Sequence, residues 1–218
     1  MTRLIIFDCD GVLVDSERLS IKIDVAVLAE LGWVLTEAEA VERFVGLSMK
    51  QMRDRVESHL GRTLPEDWEE EFQHRLRETL ASELRPVEGI VEALNAIHDT
   101  TCVASSGTQE KIRFSLGLTG LYERFAGRIF SATEISRGKP APDLFLHAAE
   151  QMGVEPSSCV VVEDSAPGVT AALAAGMRVL AYAGGVTPAA RLSLPGAVVF
   201  DDMRDLAPLL KHRTGRIA

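Results

Sequence analysis

The sequence predicts an α/β fold: a parallel sheet with helices on both faces, interrupted near its start by a small all-helical insertion. Two observations carry this. Short apolar runs alternate with helical segments after Gly89, and between Ser16 and about Arg85 no strand pattern occurs while apolar residues recur at helical spacing. Strands alternating with helices imply right-handed crossovers and a sheet buried on both sides.

Taken in order, Leu4, Ile5, Ile6 and Phe7 form a short apolar run of the kind expected for a buried parallel strand. Ile21, Val25, Leu28 and Leu31 then lie at helical spacing, and Gly32 ends that helix. Met49, Met52, Val56 and Leu60 make a second stripe, and Trp68, Phe72 and Leu76 a third. The acidic run around the start of the third stripe (Glu66, Asp67, Glu69, Glu70, Glu71) suits the positive end of a helix dipole. Further strands are expected over 101–105, 128–131, 159–162, 177–182 and 197–200, with helices over 109–116, 144–152 and 166–175. The expected division is a core of 1–15 and 86–218 and an insertion of 16–85, hinged near Asp15-Ser16 and Arg85-Pro86.

Composition excludes several classes of partner. With 46% hydrophobic and 25% charged residues in 218, the chain has the material for a sizeable core. A net charge of -9 argues against nucleic acid or an anionic membrane surface as partner. The apolar run after Met1 stops at Asp8 and no long uncharged stretch follows, so neither a secretory signal nor a membrane span is expected. Cys9, Cys102 and Cys159 are far apart and lack metal-type spacing, which suits reduced thiols in a cytoplasmic protein.

Four segments carry chemistry. Asp8 and Asp10 flank Cys9 where the first strand must end, and Gly11 lets the chain turn behind them. Ligands of open α/β sheets bind beyond the carboxyl ends of the strands. Two carboxylates there either hold a hard cation, divide nucleophilic and acid/base work, or cap the turn. Ser105, Ser106, Gly107 and Thr108 follow the next strand and lead into a helix, as an oxyanion cradle or a plain N-cap. Lys139 sits in a loop stiffened by Pro140 and Pro142, less free than an ordinary solvated lysine. Glu163 and Asp164 end a later strand and would complete an oxygen-ligand site for Mg2+.

Together these segments resemble the four motifs of the haloacid dehalogenase-like superfamily, in its phosphatase and phosphomutase branch with a helical cap. The stretch from Asp8 through Asp10, Gly11 and Asp15 to Glu17 resembles the first motif, Ser105 the second, Lys139 the third, and Glu163-Asp164 the fourth, in the family's order and over essentially the whole chain. The resemblance implies a Rossmann-like core and a Mg2+-dependent phosphatase acting on a small phosphorylated metabolite, a sugar phosphate or phospho-sugar acid. Asp8 would be the nucleophile, forming an aspartyl phosphate, and Asp10 the acid and then the base. Mg2+ would lie between an Asp8 oxygen, the Asp10 carbonyl and Asp164, with Glu163 binding directly or through water. Ser105 and Lys139 would hold the phosphoryl oxygens, with Ser106 and Gly107 beside them. A dianionic phosphate facing these carboxylates without a cation would meet like charges, each pair at ~4 Å costing about 4 kcal/mol at an effective dielectric near 20.

The resemblance also separates relatives. Dehalogenases of the superfamily lack the second carboxylate, and phosphonoacetaldehyde hydrolases carry a small residue there, whereas this chain has Asp10. β-Phosphoglucomutases have a hinge histidine where this chain has Ser20 and a cap-loop arginine where it has Met49. Those departures favour hydrolysis over intramolecular transfer, with the mutase as the alternative. Arg43, Phe44, Val45, Gly46, Leu47, Ser48, Met49 and Lys50 resemble the cap's substrate-specificity loop, with Lys50 either a cation near the substrate or a surface lysine. A phospho-receiver module shares the acidic strand ends, hydroxyl and lysine, but it pairs its acids early and has no inserted cap. A monomer is expected, with a homodimer as the alternative. His59, His74, His98, His147 and His212 are expected at surface or packing positions, Asp143 either orients Lys139 or starts a helix, and the thiol of Cys9 is expected to be poorly nucleophilic between two carboxylates.

Overall fold

A computed structural model describes residues 3–45, 47 and 49–211. Gly46 and Ser48 of the expected specificity loop, and His212, lie outside the described residues. The chain divides into two compact units, one made of residues up to Asp15 and from Arg85 onward, the other Ser16–Leu84. Arg85 falls with the first unit, one residue before the expected hinge, because its carbonyl accepts the N–H of Asp15 at 3.0 Å.

The first unit is built on a six-stranded, wholly parallel sheet in the order β3-β2-β1-β4-β5-β6. The strands are β1 Leu4–Phe7, β2 Thr100–Ser105, β3 Ile129–Ser131, β4 Cys159–Glu163, β5 Arg178–Tyr182 and β6 Ala197–Phe200. All four residues of β1 are fully buried, which is why it carries no polar alternation. It pairs on one side with β2 (Phe7 opposite Val103) and on the other with β4 (Phe7 opposite Val162). Chain order therefore reverses at β1, and a crevice forms beyond its carboxyl end.

The helices are α1 Ser16–Glu30, α2 Glu37–Phe44, α3 Met49–Leu60 and α4 Trp68–Glu83, all in the second unit, then α5 Ile90–Ala96, α6 Gln109–Leu118, α7 Tyr122–Phe125, α8 Asp143–Gln151, α9 Ala166–Ala174, α10 Ala189–Leu192 and α11 Leu206–Lys211. Leu144, Phe145 and Ala148 of α8 and Val169 and Ala172 of α9 share one core cluster with Leu4, Ile6, Ala104 and Val161 of the sheet. This is the Rossmann-like α/β architecture the alternation predicts. None of the described helices is long and apolar enough to cross a membrane.

The second unit has its own core, with Ile21, Leu28, Trp33, Phe44, Met52, Val56, Trp68 and Phe72 packed together. Helix α2 is absent from the predicted stripes. It is set by a capping box, in which Thr36 Oγ1 accepts from Glu39 N at 3.2 Å and Glu39 Oε2 accepts from Thr36 N at 2.9 Å. One acidic residue breaks the pattern of α1: Asp24 is buried, and burial pushes its carboxyl up to about 7. The folded carboxyl thus holds its proton more tightly than the unfolded one, so its penalty is absent near pH 4 and grows as pH rises to about 7. Asp24→Asn should remove this slope. Urea unfolding of both proteins across that range should show the variant gaining on the wild type with rising pH, by on the order of 2–4 kcal/mol.

Candidate active site

Asp8 follows β1 directly, and its N–H donates to Val162 O at 3.0 Å, so the strand pairing itself carries Asp8 to the end of β4. The chain then folds back sharply: Leu13 N donates to Cys9 O at 2.9 Å and Gly11 N to Val14 O at 2.8 Å. Gly11 has φ +76°, and a Cβ there would collide with Asp164 Oδ2. Glycine is required twice over, by conformation and by the approach of that carboxylate.

Lys139 organises the centre. Its side chain is buried, and Nζ donates to Asp8 Oδ1 at 2.6 Å and to Glu163 Oε1 at 2.7 Å, with Ala104 O at 3.3 Å. The ammonium also lies 4.9 Å from the centre of the Phe145 ring. Burial works against the charged lysine, but Asp8 and Glu163 outweigh it and hold the ammonium above its ordinary range. Burial pushes the Asp8 carboxyl above the usual carboxylate range, with Lys139 opposing and Glu163 reinforcing.

Glu163 is engaged at both oxygens. Oε1 accepts from Lys139, and Oε2 accepts from Ser165 N at 2.6 Å and Ser165 Oγ at 2.9 Å. Ser165 in turn caps α9, accepting from Gly168 N at 3.2 Å. A Cβ at Gly168 would collide with Glu163 Oε1, so the helix start is shaped around this carboxylate.

Ser105 ends β2 and is buried, with Oγ accepting from Gly107 N at 3.2 Å. The loop it begins is held from β3, where Ser131 Oγ donates to Gly107 O at 2.6 Å. Ser106 is exposed and Gly107 half-buried, and Thr108 is the N-cap of α6, accepting from Lys111 N at 3.2 Å. That helix brings in a residue absent from the sequence-level candidates: Lys111 Nζ donates to Asp10 Oδ2 at 2.8 Å. In the sequence Lys111 is one lysine on an exposed helix face. Its meeting with Asp10, 101 positions away in the chain, has no local signal.

Other candidates fall elsewhere. Asp143 lies in the first turn of α8 and is paired bidentately with Arg137 at 3.0 Å. Burial, then Asp10 and Asp8, push the Cys9 thiol well above its ordinary range. The loop after β5 borders the Asp164 corner, where a Cβ built on Gly185 would lie 3.9 Å from both Asp164 Oδ2 and Gly11 O. Lys50 belongs to the second unit, where its exposed ammonium pairs with Asp54 at 2.8 Å. Ser20 Oγ donates to Ser16 O of its own helix at 3.1 Å.

Among the described residues, no three acidic, histidine or cysteine side chains converge as a ready-made cation cage. Asp8 and Glu163 both pair with Lys139, and Asp10 pairs with Lys111. The donors that Asp8, Asp10 and Asp164 bring to this corner are all hard oxygens, the set that suits Mg2+. The Gly11 cradle holds the Asp164 carboxylate against the turn that carries Asp8 and Asp10. By donor type those three could hold the ion, whereas Glu163 has both oxygens engaged by Lys139 and Ser165.

The profile of the haloacid dehalogenase-like hydrolase family matches residues 5–182. The chain is 36% identical over 188 residues to the 6-phosphogluconate phosphatase of Escherichia coli, covering 84% of each chain. It superposes with a TM-score of 0.89 on a conserved haloacid dehalogenase-like protein of unknown function from Agrobacterium tumefaciens, at 36% identity over 96% of this chain and 98% of that one. A haloacid dehalogenase family hydrolase from Deinococcus radiodurans, solved with bound phosphate and sodium, gives a TM-score of 0.84 at 30% identity, over 96% of this chain and 95% of that one. With the strand-end acids, the buried lysine and the sheet order all in place, the chain belongs to the haloacid dehalogenase-like hydrolase family.

Proposed function

We propose that the protein is a Mg2+-dependent phosphatase that hydrolyses a small phosphorylated metabolite of the sugar phosphate or phospho-sugar acid class through an aspartyl phosphate. The observation that carries this is the buried Lys139 ammonium, shared between Asp8 and Glu163 at the ends of neighbouring strands. A carboxylate so placed is oriented for attack, and the cation that orients it is also positioned to meet the charge of an incoming phosphoryl group. The similarity to a 6-phosphogluconate phosphatase supports the substrate class.

Asp8 attacks phosphorus and takes the phosphoryl group, while Asp10 gives a proton to the departing oxygen. Asp10 then takes a proton from the water that hydrolyses the aspartyl phosphate. Ser105 Oγ and Lys139 hold phosphoryl oxygens, aided by the Ser106 and Gly107 backbone. Glu163 keeps Lys139 in place. Asp8, the Asp10 carbonyl and Asp164 would hold Mg2+, which supplies positive charge against the phosphate and the carboxylates. The helical unit, with Lys50 in its α3, would act as a cap that selects the substrate. Three buried free thiols suit a reducing, cytoplasmic setting.

The direct test is phosphate release from a panel of phosphorylated sugars, sugar acids and nucleotides, with Mg2+ and with a chelator. Release is expected from one substrate class and only with metal, and Asp8→Asn should abolish it; full activity of that variant would sink the mechanism. β-Glucose 1-phosphate converted to glucose 6-phosphate without phosphate release would identify a mutase instead. Ser105→Ala should raise the barrier by roughly 3 kcal/mol, read as a drop in kcat. Gly168→Ala should displace Glu163 and with it Lys139, lowering kcat about 10- to 100-fold in a protein that still melts cooperatively.

A further inference from the structure

We infer that Lys111 is a positioning residue for Asp10, holding that carboxylate in register with the phosphate-binding end of β2. The inference rests on the phosphatase reaction proposed above and adds to it a residue that the four strand-end motifs do not include.

Asp10 lies on the turn after β1, and its side chain is 21% exposed. Acid/base work requires that its carboxylate meet a defined oxygen within hydrogen-bond reach. Lys139 cannot orient it, being committed to Asp8 and Glu163. Lys111 can, and its own backbone is fixed: its N–H is bonded to the Thr108 cap of α6, and that loop is held by Ser131 through Gly107. Its stem runs beside the loop, with Cδ 3.5 Å from where a Cβ on Gly107 would stand. One rigid segment therefore carries both Ser105 and Lys111. It sets the distance between the group that grips the phosphate and the group that serves the leaving oxygen.

An exposed lysine-carboxylate pair contributes little to folding stability, and with the Lys111 side chain 46% exposed this pair is of that kind. Its value lies in orientation, so its loss should appear in turnover rather than in melting. Misplacing a reacting group by about 1 Å can cost 100-fold in rate.

The test measures kcat and KM for the best sugar or sugar-acid phosphate of that panel, whose alkoxide leaving group needs the proton, with Mg2+ in wild type, Lys111→Met, Lys111→Arg, Asp10→Asn and the Lys111→Met/Asp10→Asn double variant. Lys111→Met should lower kcat about 10- to 100-fold with KM and melting temperature little changed, and Lys111→Arg should restore most of the loss. In the Asp10→Asn background Lys111→Met should have no further effect, because the residue acts through Asp10. Should Lys111→Met not fold, Lys111→Gln takes its place in the same cycle. Unchanged kcat, a loss confined to KM, or equal losses in both backgrounds would each overturn the inference. An inactive wild type, or a fully active Asp8→Asn, would overturn the phosphatase proposal and this inference together. An active wild type with inactive Asp8→Asn and undiminished Lys111→Met would overturn this inference alone.

Discussion

The site depends on one buried ammonium. Lys139 carries its charge out of water, and two carboxylates, Asp8 and Glu163, compensate it within 2.7 Å. Breaking such a group by removing one partner strands a charge in low dielectric, which is far costlier than losing a surface pair. Much local structure follows from meeting that requirement. The pairing of Phe7 with Val162 sets the two acidic strand ends side by side. Ser165 ties down the far oxygen of Glu163, and Gly168 leaves room for its near one. The start of α9 is thus shaped by an ion pair as much as by helix propensity.

The two carboxylates of the first turn live in different surroundings. Asp8 is buried against Lys139, while Asp10 is partly exposed against Lys111. A buried, tightly held carboxylate suits one fixed line of attack. The other is partly solvated and is held by a more exposed lysine. Separate environments for paired acids are the general means by which one site assigns two roles to one kind of side chain. The cations come from different directions, Lys139 from the loop before α8 and Lys111 from α6, so each acid can be tuned independently.

Much of the fold was legible from local pattern. Apolar runs bounded by Gly, Asp and Ser marked each strand to within a residue or two, because a strand buried on both faces must be apolar throughout. The helical stripes marked α1, α3 and α4, but α2, only eight residues long with Ala40 and Phe44 buried, was not among them. Its signal was the Thr36 and Glu39 capping box instead. Asp24 escaped as well, although it stands three residues after Ile21 and four before Leu28 on the buried face of α1, because a carboxylate is not counted in an apolar stripe.

The sequence by itself determined the sheet, the inserted helical segment, and the strand ends where Asp8, Ser105 and Glu163 would stand. It could do so because alternation, turn chemistry and strand termination are written within a few neighbouring residues. Only the tertiary structure decided which charges meet. Lys139 lies 131 positions from Asp8 and Lys111 lies 101 from Asp10, distances at which no periodic pattern connects them. Glu163 belongs to Lys139 and Ser165 for the same reason, since its partners are set by strand register and by the helix that follows. Charge pairing across a sheet is a property of topology, and it exists only once the strands are in order.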